Sequence, residues 1–394
     1  MVNKGKIIYL DNSATTPIRE EALRAMMEAY RRAYGNSSSP HLFGRTARRV
    51  LEEAREEFAS CIGAKPGEII FTSGGTESNN LAIRGVALAV RDIGKHIITS
   101  CTEHHAVLHC CRALEEEGYE VTYLPVDARG MVDLEVLEAS IQDDTVLVSI
   151  MTANNETGVL QPVAEIARIA REKGVLFHTD AVQAAGKLPL DVDELGADLI
   201  SFSGHKFYGP KGVGALFIRD GTPIRPVMQG GHHEAGMRPG TVNVPGIAGM
   251  ARALSSTVRE IGETSRRLGE LREILETGIR ESIPGVRRNG DHEHALPNVL
   301  NLSFEDADGE SLLLELDMAG VAVSTGSACT SQEAEPSHVL LAMGVPPRLA
   351  QCSLRFSLGR YNVVQDIEYV LEVLPGIVER IRKISGRRTQ PVHR

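Results

Sequence analysis

The chain has 394 residues, of which 42% are hydrophobic, with 38 glycines and 18 prolines. This length and composition are typical of a globular enzyme of about two domains. The formal net charge of −10 argues against a nucleic-acid-binding protein, and we find no apolar run long enough for a membrane span or a secretory leader, so we expect a cytosolic protein with no membrane partner.

The N-terminal part of the chain predicts one strand and two helices. The apolar residues 7–10 indicate a short strand, and polar residues 11–17 indicate a turn. Helices are predicted from about 18 to 33 and from about 43 to 62, the second ended by Gly63. The Arg and Glu side chains of the second helix indicate a solvated face.

Strand-like and helix-like segments then alternate up to residue 202. Strands are predicted at 69–71, 96–99, 121–124 and 146–150, with two more ending at Asp180 and Phe202; helices are predicted at 77–90, 106–117, 133–140 and 163–173. This order predicts an α/β fold with a mainly parallel sheet covered by helices. Ligands collect at the carboxyl ends of such strands, where Asp180, Asn155 and the loop 73–76 follow strands.

The C-terminal third predicts a smaller α+β domain. A long helix is predicted from past Gly249 to about 282, and the remaining predicted elements are strands at 300–304, 321–323 and 353–357 and helices at 309–319 and 366–384. We expect a large domain of residues 15–260 and a small domain of residues 1–14 and 261–394.

Lys206 lies in a glycine-rich turn after the strand that ends at Phe202. A lysine held near apolar groups is a candidate for a lowered pKa and for Schiff-base chemistry with an aldehyde cofactor. Most lysines are surface residues, so this motif alone favours an ordinary loop lysine. Asp180 reverses that balance, because an acid at the end of the preceding strand can pair with the pyridinium nitrogen of pyridoxal phosphate.

Five motifs resemble, in the same order, those of cysteine desulfurases of the NifS/IscS type. They lie at residues 9–17, 71–78, 178–183, 201–212 and 327–331. The resemblance implies the PLP-dependent transferase fold (aminotransferase fold type I, class V) and pyridoxal phosphate as cofactor. It also implies conversion of L-cysteine to L-alanine, with sulfur passing to an enzyme cysteine as a persulfide and then to an iron-sulfur scaffold protein or another acceptor.

The loop 73–76 has the features of a phosphate site. It connects a strand to the start of a helix, where free backbone N–H groups and the helix dipole favour an anion. The resemblance assigns the cofactor phosphate to five residues, the last of them from the second subunit of a homodimer: Gly75, Thr76, Ser203, His205 and Thr241.

Three more residues are assigned to the cofactor by the resemblance. His104 stacks on the cofactor ring and moves protons, Gln183 donates to its phenolic oxygen, and Asn155 lies beside it and the substrate. Taken alone, a single histidine is more often structural, and the Asn155 region and Gln183 could serve turns instead.

Cys329 differs from the other five cysteines, because it lies in a run of small polar residues that does not suit a core. A thiolate on such a loop can take sulfur from a bound cysteine and carry it outward. The resemblance places the family nucleophile here and implies a transient contact with an iron-sulfur cluster on a partner. We expect no metal bound by the chain itself, at His292 and His294 or elsewhere.

Arg355 alternates with apolar neighbours on a predicted strand. Its planar guanidinium suits the substrate carboxylate, and the alternative is a structural ion pair. Two rival functions use the same residues differently. A selenocysteine lyase or kynureninase-like lyase is disfavoured by the Cys329 loop, and a catalytically silent sulfur-relay scaffold is disfavoured by the presence of Lys206 and Asp180.

Overall fold

The structure, a computed structural model, describes residues 7–325 and 335–388. Its strands are β1 Ile8–Tyr9, β2 Ile69–Thr72, β3 His96–Ser100, β4 Glu120–Leu124, β5 Thr145–Ser149, β6 Leu176–Asp180, β7 Leu199–Ser203, β8 Gly214–Ile218, β9 Val286–Arg288, β10 Val299–Phe304, β11 Val321–Ala322 and β12 Ser353–Ser357. Its helices are α1 Glu20–Arg32, α2 Leu42–Ser60, α3 Gly75–Ala89, α4 His105–Glu116, α5 Leu134–Ser140, α6 Val163–Glu172, α7 Val192–Leu195, α8 Val244–Arg259, α9 Ile261–Ser282, α10 Gly309–Met318, α11 His338–Ala342, α12 Pro347–Ala350 and α13 Val364–Arg388. Over these residues, no helix combines the length and apolar character needed to cross a bilayer.

The central sheet has seven strands in the order β2-β8-β7-β6-β5-β3-β4. From β7 to β4 all neighbouring strands are parallel, whereas β8 runs antiparallel to β7 and β2. The mainly parallel sheet was predicted from the alternation of strands and helices. The strand β8 was missed, because the glycine-rich loop 204–213 connects it to β7 without an intervening α-helix.

Helices cover both faces of this sheet, because alternate residues of each strand point to opposite sides. Ile97 and Leu147 pack in one buried cluster with residues of α3 and α4. The next residues, Ile98 and Val148, pack in a second cluster with residues of α2, α6 and α8. Burial on both faces explains why every residue of β3, β5 and β7 is buried.

A second layer of structure forms around the antiparallel sheet β12-β10-β9. Its buried cluster combines Ile8 and Leu10 with residues from 268 to 381, including those of α9, α10 and α13. The strand β1 pairs in parallel with β11, which ties the N-terminus to this part. The domain boundaries at 14/15 and 260/261 stay a prediction, which these separate clusters motivate.

The single long helix predicted up to residue 282 is wrong. Two helices, α8 and α9, meet at Glu260, whose backbone leaves the helical conformation. The Glu260 carboxylate accepts hydrogen bonds from Arg19 Nη2 at 2.9 Å and Arg360 Nη2 at 3.0 Å. Partners this distant in sequence hold the break, so local periodicity did not reveal it.

Candidate active site

A cavity of about 620 Å³ opens where the central sheet meets the second layer. Ten of the predicted site residues line it: Gly75, Thr76, His104, Asn155, Asp180, Gln183, Ser203, His205, Lys206 and Arg355. Thr241 is exposed and is not part of this lining. Cys329 lies outside the described residues, but Ser324 and Thr325, which precede its segment, line the cavity.

One wall of the cavity is the N-terminus of α3. A 15-residue helix begins at Gly75, and only Ser73 and Gly74 separate it from β2; its first N–H groups can therefore bind an anion. A Cβ on Gly75 would lie 2.7 Å from Val182 Cγ2, which explains the glycine. The nearby acid Glu77 accepts from Ser73 N and Arg238 Nε, both at 2.8 Å, so its charge is compensated.

Lys206 ends a short 3₁₀ turn that follows β7 without interruption. Its Nζ donates to Ser13 O at 2.5 Å and to Ala14 O at 2.9 Å, both uncharged acceptors. Burial, and then the positive charge of Arg355, lower the pKa of Lys206 to about 8, against the opposing effect of Asp180. A substantial fraction of the amine is therefore neutral near pH 7.5 and can act as a nucleophile.

Asp180 is the last residue of β6, and its carboxylate is buried. Oδ2 accepts from Asn79 Nδ2 at 2.7 Å, and Oδ1 accepts from Val182 N at 2.9 Å. Each oxygen keeps a second lone pair, so the carboxylate can still accept from a ring N–H. Asn79 was missed by the sequence reasoning, although it lies three residues after Thr76 on α3 and hence on the same face.

Arg355 is buried on β12 and bridges two parts of the chain. Its Nη2 donates to Asp11 Oδ1 at 2.8 Å, and its Nη1 donates to Asn155 O at 2.9 Å. Nε is buried without a hydrogen-bond partner among the described residues. Arg355 thus lines the cavity, as its predicted role in substrate binding requires. It also forms an ion pair with Asp11, which is the alternative role that the sequence left open. The sequence reasoning missed Asp11, although it lies in the first quoted motif.

The histidines of the cavity are neutral. The His104 ring caps α4, and its Nδ1 accepts from Ala106 N at 3.1 Å, so Nε2 carries the proton. Desolvation lowers the pKa of His104. His205 contacts Thr15 Oγ1 through Nδ1 at 3.1 Å, and burial, followed by the charges of Lys206 and other lysines, lowers its pKa to about 4. Both side chains can therefore donate a hydrogen bond without adding charge.

Glu103 lies behind His104 and is fully buried. Its Oε1 accepts from Met151 N at 2.8 Å, whereas Oε2 has no partner among the described residues. Burial first, with Asp180 adding to it, raises the pKa of Glu103 well above its ordinary value. Burial therefore favours the neutral form of this carboxyl. The sequence analysis did not select Glu103, although its position next to His104 in the sequence could have indicated that it lies near the site.

These groups fit pyridoxal phosphate in their chemistry. The N-terminus of α3 suits the phosphate, the Asp180 carboxylate suits a protonated ring nitrogen, and the Lys206 amine suits the aldehyde carbon. Three buried cavity-side atoms, Ser13 Oγ, Asn79 Oδ1 and Arg355 Nε, lack hydrogen-bond partners among the described residues. Buried polar atoms in this condition indicate that the cavity is shaped for a polar ligand.

A cluster of carboxylate and imidazole side chains near His292, of the kinds that can bind metal ions, contacts an arginine. Glu273, Glu276 and His292 bring ligand atoms within 4.8 Å of one another. Arg288 is bonded to Glu276, and its Nη1 lies 3.0 Å from His292 Nδ1. The guanidinium therefore supplies the positive charge at this point.

The chain is similar to known proteins over almost its whole length. The family model described as Aminotransferase class-V matches residues 8–370. Cysteine desulfurase IscS of Dictyoglomus turgidum is 53% identical over 378 residues, which covers 96% of each protein. Among solved structures, a NifS-like protein matches with a TM-score of 0.90 at 42% identity, over 95% of this chain and 100% of the other. A structure of SspA in complex with cysteine matches with a TM-score of 0.80 at 36% identity, over 90% of this chain and 100% of the other. The predicted fold class is confirmed, and the chain belongs to the class-V aminotransferase family, among the cysteine desulfurases of the NifS and IscS type.

Proposed function

We propose that the chain is a pyridoxal-phosphate-dependent cysteine desulfurase that converts L-cysteine to L-alanine. The observation that carries this proposal is that Lys206, Asp180 and Arg355, from three separate strands or strand ends, line one cavity. Relatives that match nearly the whole chain are named cysteine desulfurases, and one similar structure contains cysteine. These findings support the same reaction from independent directions.

The proposal gives a role to each predicted site residue that lines the cavity. The N–H groups of Gly75 and Thr76 bind the phosphate, together with Ser203 and His205 of the same chain and Thr241 of the partner subunit. The amine of Lys206 would hold the cofactor through its aldehyde carbon and would move a proton at the substrate.

The remaining residues act on the ring and the substrate. Asp180 would hold the ring N–H, Gln183 the ring oxygen and His104 the ring face. Arg355 and Asn155 bind the substrate carboxylate and hold its Cα next to Lys206. When bound, pyridoxal phosphate supplies an electron-accepting ring that makes bond breaking next to Cα feasible.

The sulfur step balances without an external oxidant. The Cys329 thiolate attacks the substrate sulfur, the Cβ–S bond breaks, and its electron pair stays on the substrate carbon. Protons delivered to the substrate complete alanine, while Cys329 keeps the sulfur as a persulfide. The thiol is oxidised by the same amount as the substrate carbon is reduced.

We further propose the sulfur acceptors and the assembly that the sequence suggested. The persulfide passes to an iron-sulfur scaffold protein or another acceptor, and Cys329 contacts a cluster on that partner transiently. The enzyme acts in the cytosol as a homodimer, because the phosphate site of one subunit takes Thr241 of the partner subunit.

Incubation with L-cysteine tests the proposal. We expect the purified holoenzyme to release alanine, and the peptide containing Cys329 to gain the mass of one sulfur atom. Cys329→Ser should still bind the cofactor and L-cysteine but form no alanine, because neither binding step uses the thiol. Cys61→Ser is the matched control and should behave as the parent.

Other outcomes identify the rival functions. No alanine from cysteine, together with turnover of selenocysteine, would make the chain a selenocysteine lyase. Added sulfur on Cys101, Cys110 or Cys111 would refute Cys329 as the nucleophile. A protein that binds sulfur acceptors but turns over neither amino acid would be a silent relay scaffold.

A further inference from the structure

A second buried lysine lies behind the cavity and has no role in the proposed reaction. Lys187 is 9% exposed and is not part of the cavity lining. Within the described residues, no carboxylate lies within 4.0 Å of its Nζ, although a buried ammonium is ordinarily paired with one. Its hydrogen bonds go to Gln183 instead, to O at 2.8 Å and to Oε1 at 3.0 Å.

These contacts determine which end of the Gln183 amide faces which partner. The ammonium form of Lys187 can only donate, so the atom next to it must be the amide oxygen. Gln183 Nε2 then donates one hydrogen to Ser13 O at 2.9 Å. Its second hydrogen remains available to the cavity that Gln183 lines. Two partners of opposite polarity thus hold the amide in one orientation.

The same contacts lead to the cofactor lysine. Ser13 O accepts from Gln183 Nε2 and also from Lys206 Nζ. A continuous set of hydrogen bonds therefore runs from Lys187 through Gln183 and Ser13 to Lys206. Burial, followed by the positive charges of Lys206 and Arg355, lowers the pKa of Lys187 to about 7.

We propose that Lys187 is a positioning residue, which fixes the Gln183 amide so that an N–H group, and not an oxygen, faces the cavity beside Lys206. The inference rests on the proposed function, because the acceptor for this N–H is the ring oxygen of the cofactor. Without Lys187, the amide loses one of its two partners and can rotate.

Four variants of the full chain test the inference through cofactor binding. Lys187→Met has about the same length but cannot donate, Gln183→Leu removes the amide, and the double variant combines them. Lys211→Met is the control, because Lys211 is an exposed lysine on the same loop as Lys206. The measurements are the affinity of each apo variant for pyridoxal phosphate and the pH midpoint of the visible absorption band of the bound cofactor.

We expect Lys187→Met to weaken cofactor affinity about threefold to tenfold, the range of one hydrogen bond, and to shift the pH midpoint. The double variant should bind no more weakly than Gln183→Leu, because Lys187 acts through Gln183. Melting temperature at pH 6 should not fall in Lys187→Met, since an apolar side chain of similar size replaces a buried ammonium that lacks a carboxylate. A purely structural role would reduce stability as well as affinity.

Two results would overturn the inference while leaving the proposed function intact: Lys187→Met indistinguishable from Lys211→Met, or losses that multiply in the double variant. If Lys187→Met fails to fold, Lys187→Gln replaces that variant in the series. Its side chain keeps an amide donor, so we expect it to retain part of the affinity for pyridoxal phosphate. If the parent itself binds no pyridoxal phosphate, the proposed function fails. In that case a crystal structure of Lys187→Met still tests the inference. An unchanged orientation of the Gln183 amide in that structure would contradict it.

Discussion

Burial favours the neutral form of several single residues in and next to the cavity. Desolvation penalises the charged form of a base, so the pKa of Lys206 falls to about 8 and that of His205 to about 4. The same effect raises the pKa of the Glu103 carboxyl. The cavity therefore holds a lysine amine that is partly neutral near pH 7.5, and the Arg355 guanidinium lines the same cavity.

The lowered pKa of Lys206 predicts how cofactor capture depends on pH. The neutral fraction of an amine with a pKa of about 8 rises roughly tenfold between pH 7 and pH 9 and then levels off. We expect the rate at which the apo enzyme binds pyridoxal phosphate to follow this curve, measured by absorbance after mixing. Asp180→Asn should move the midpoint lower, because the Asp180 carboxylate stabilises the ammonium form.

An ordinary lysine would give a different curve. With a pKa near 10.5, the rate would rise about a hundredfold between pH 7 and pH 9 and would continue to rise. That result would show that Lys206 is not desolvated in the apo enzyme. Lys211→Met is the control and should leave the midpoint near its parent value.

Arg355→Lys tests whether the guanidinium binds substrate in addition to Asp11. Lysine keeps the charge but not the planar donor fork, so we expect KM for L-cysteine to rise by roughly one to two orders of magnitude, or about 1.4 to 2.8 kcal/mol. Arg348→Lys is the control, since Arg348 forms an exposed ion pair with Asp306. An unchanged KM with a lower melting temperature would reduce Arg355 to a structural partner of Asp11.

Between elements, a buried ion pair holds a turn in an unusual conformation. Glu234 and Ala235 have positive φ angles of 47° and 54°, which costs free energy in residues other than glycine. The Glu234 carboxylate accepts from Arg55 Nη1 at 2.9 Å and Nη2 at 2.7 Å, and from Phe71 N at 2.8 Å. Arg55 of α2 is therefore buried, and the prediction that the charges of α2 form a solvated face is wrong for this residue.

Glu234→Ala should destabilise the protein by roughly 3 to 5 kcal/mol, because it removes the buried ionic partner of the Arg55 guanidinium and leaves only the half-exposed Glu52 beside it. The measurement is the free energy of unfolding from denaturant titration of the apo protein. Glu53→Ala is the matched control, since Glu53 pairs with Arg49 on the exposed face of the same helix. Its effect should stay within about 0.5 kcal/mol, and equal losses in the two variants would contradict this account.

For the whole molecule, the position of Thr241 bears on assembly. Thr241 is exposed and is not part of the cavity lining of its own chain. The preceding turn is tied down by the Arg55–Glu234 and Arg238–Glu77 pairs. A residue presented in this way on a fixed segment can serve a neighbouring subunit, as the homodimer proposal requires.

Heterodimers of two inactive variants test the shared site. Thr241→Glu places a negative charge against the phosphate, and Lys206→Ala removes the nucleophile, so each homodimer should be inactive. A heterodimer purified with two different tags contains one site with Lys206 from one subunit and Thr241 from the other, and should show about half the parent activity.

The control heterodimer combines Lys206→Ala with Asp180→Asn. Both of these residues line the cavity of one chain, so neither of its sites is intact and recovery should not occur. Absence of recovery in the Thr241 heterodimer as well would show that Thr241 does not act across subunits.

The sequence by itself determined the layered fold and the part of the cavity that the carboxyl ends of the parallel strands form. Alternating strands and helices imply a parallel sheet, and adjacent parallel strands bring their carboxyl ends together. The sequence alone therefore predicts that Asp180 and Lys206 lie close together. Ten of the expected site residues do line one cavity, although the role of each stays a prediction.

Only the tertiary structure decided which charged and polar groups are partners. Asp11 and Arg355 are 344 residues apart, and Arg55 and Glu234 are 179 apart. A sequence does not show that two such residues are partners, because periodicity reports local geometry and not the contacts that long-range packing creates. The role inferred for Lys187 has the same origin, since its distinguishing property is burial beside Gln183 without a carboxylate.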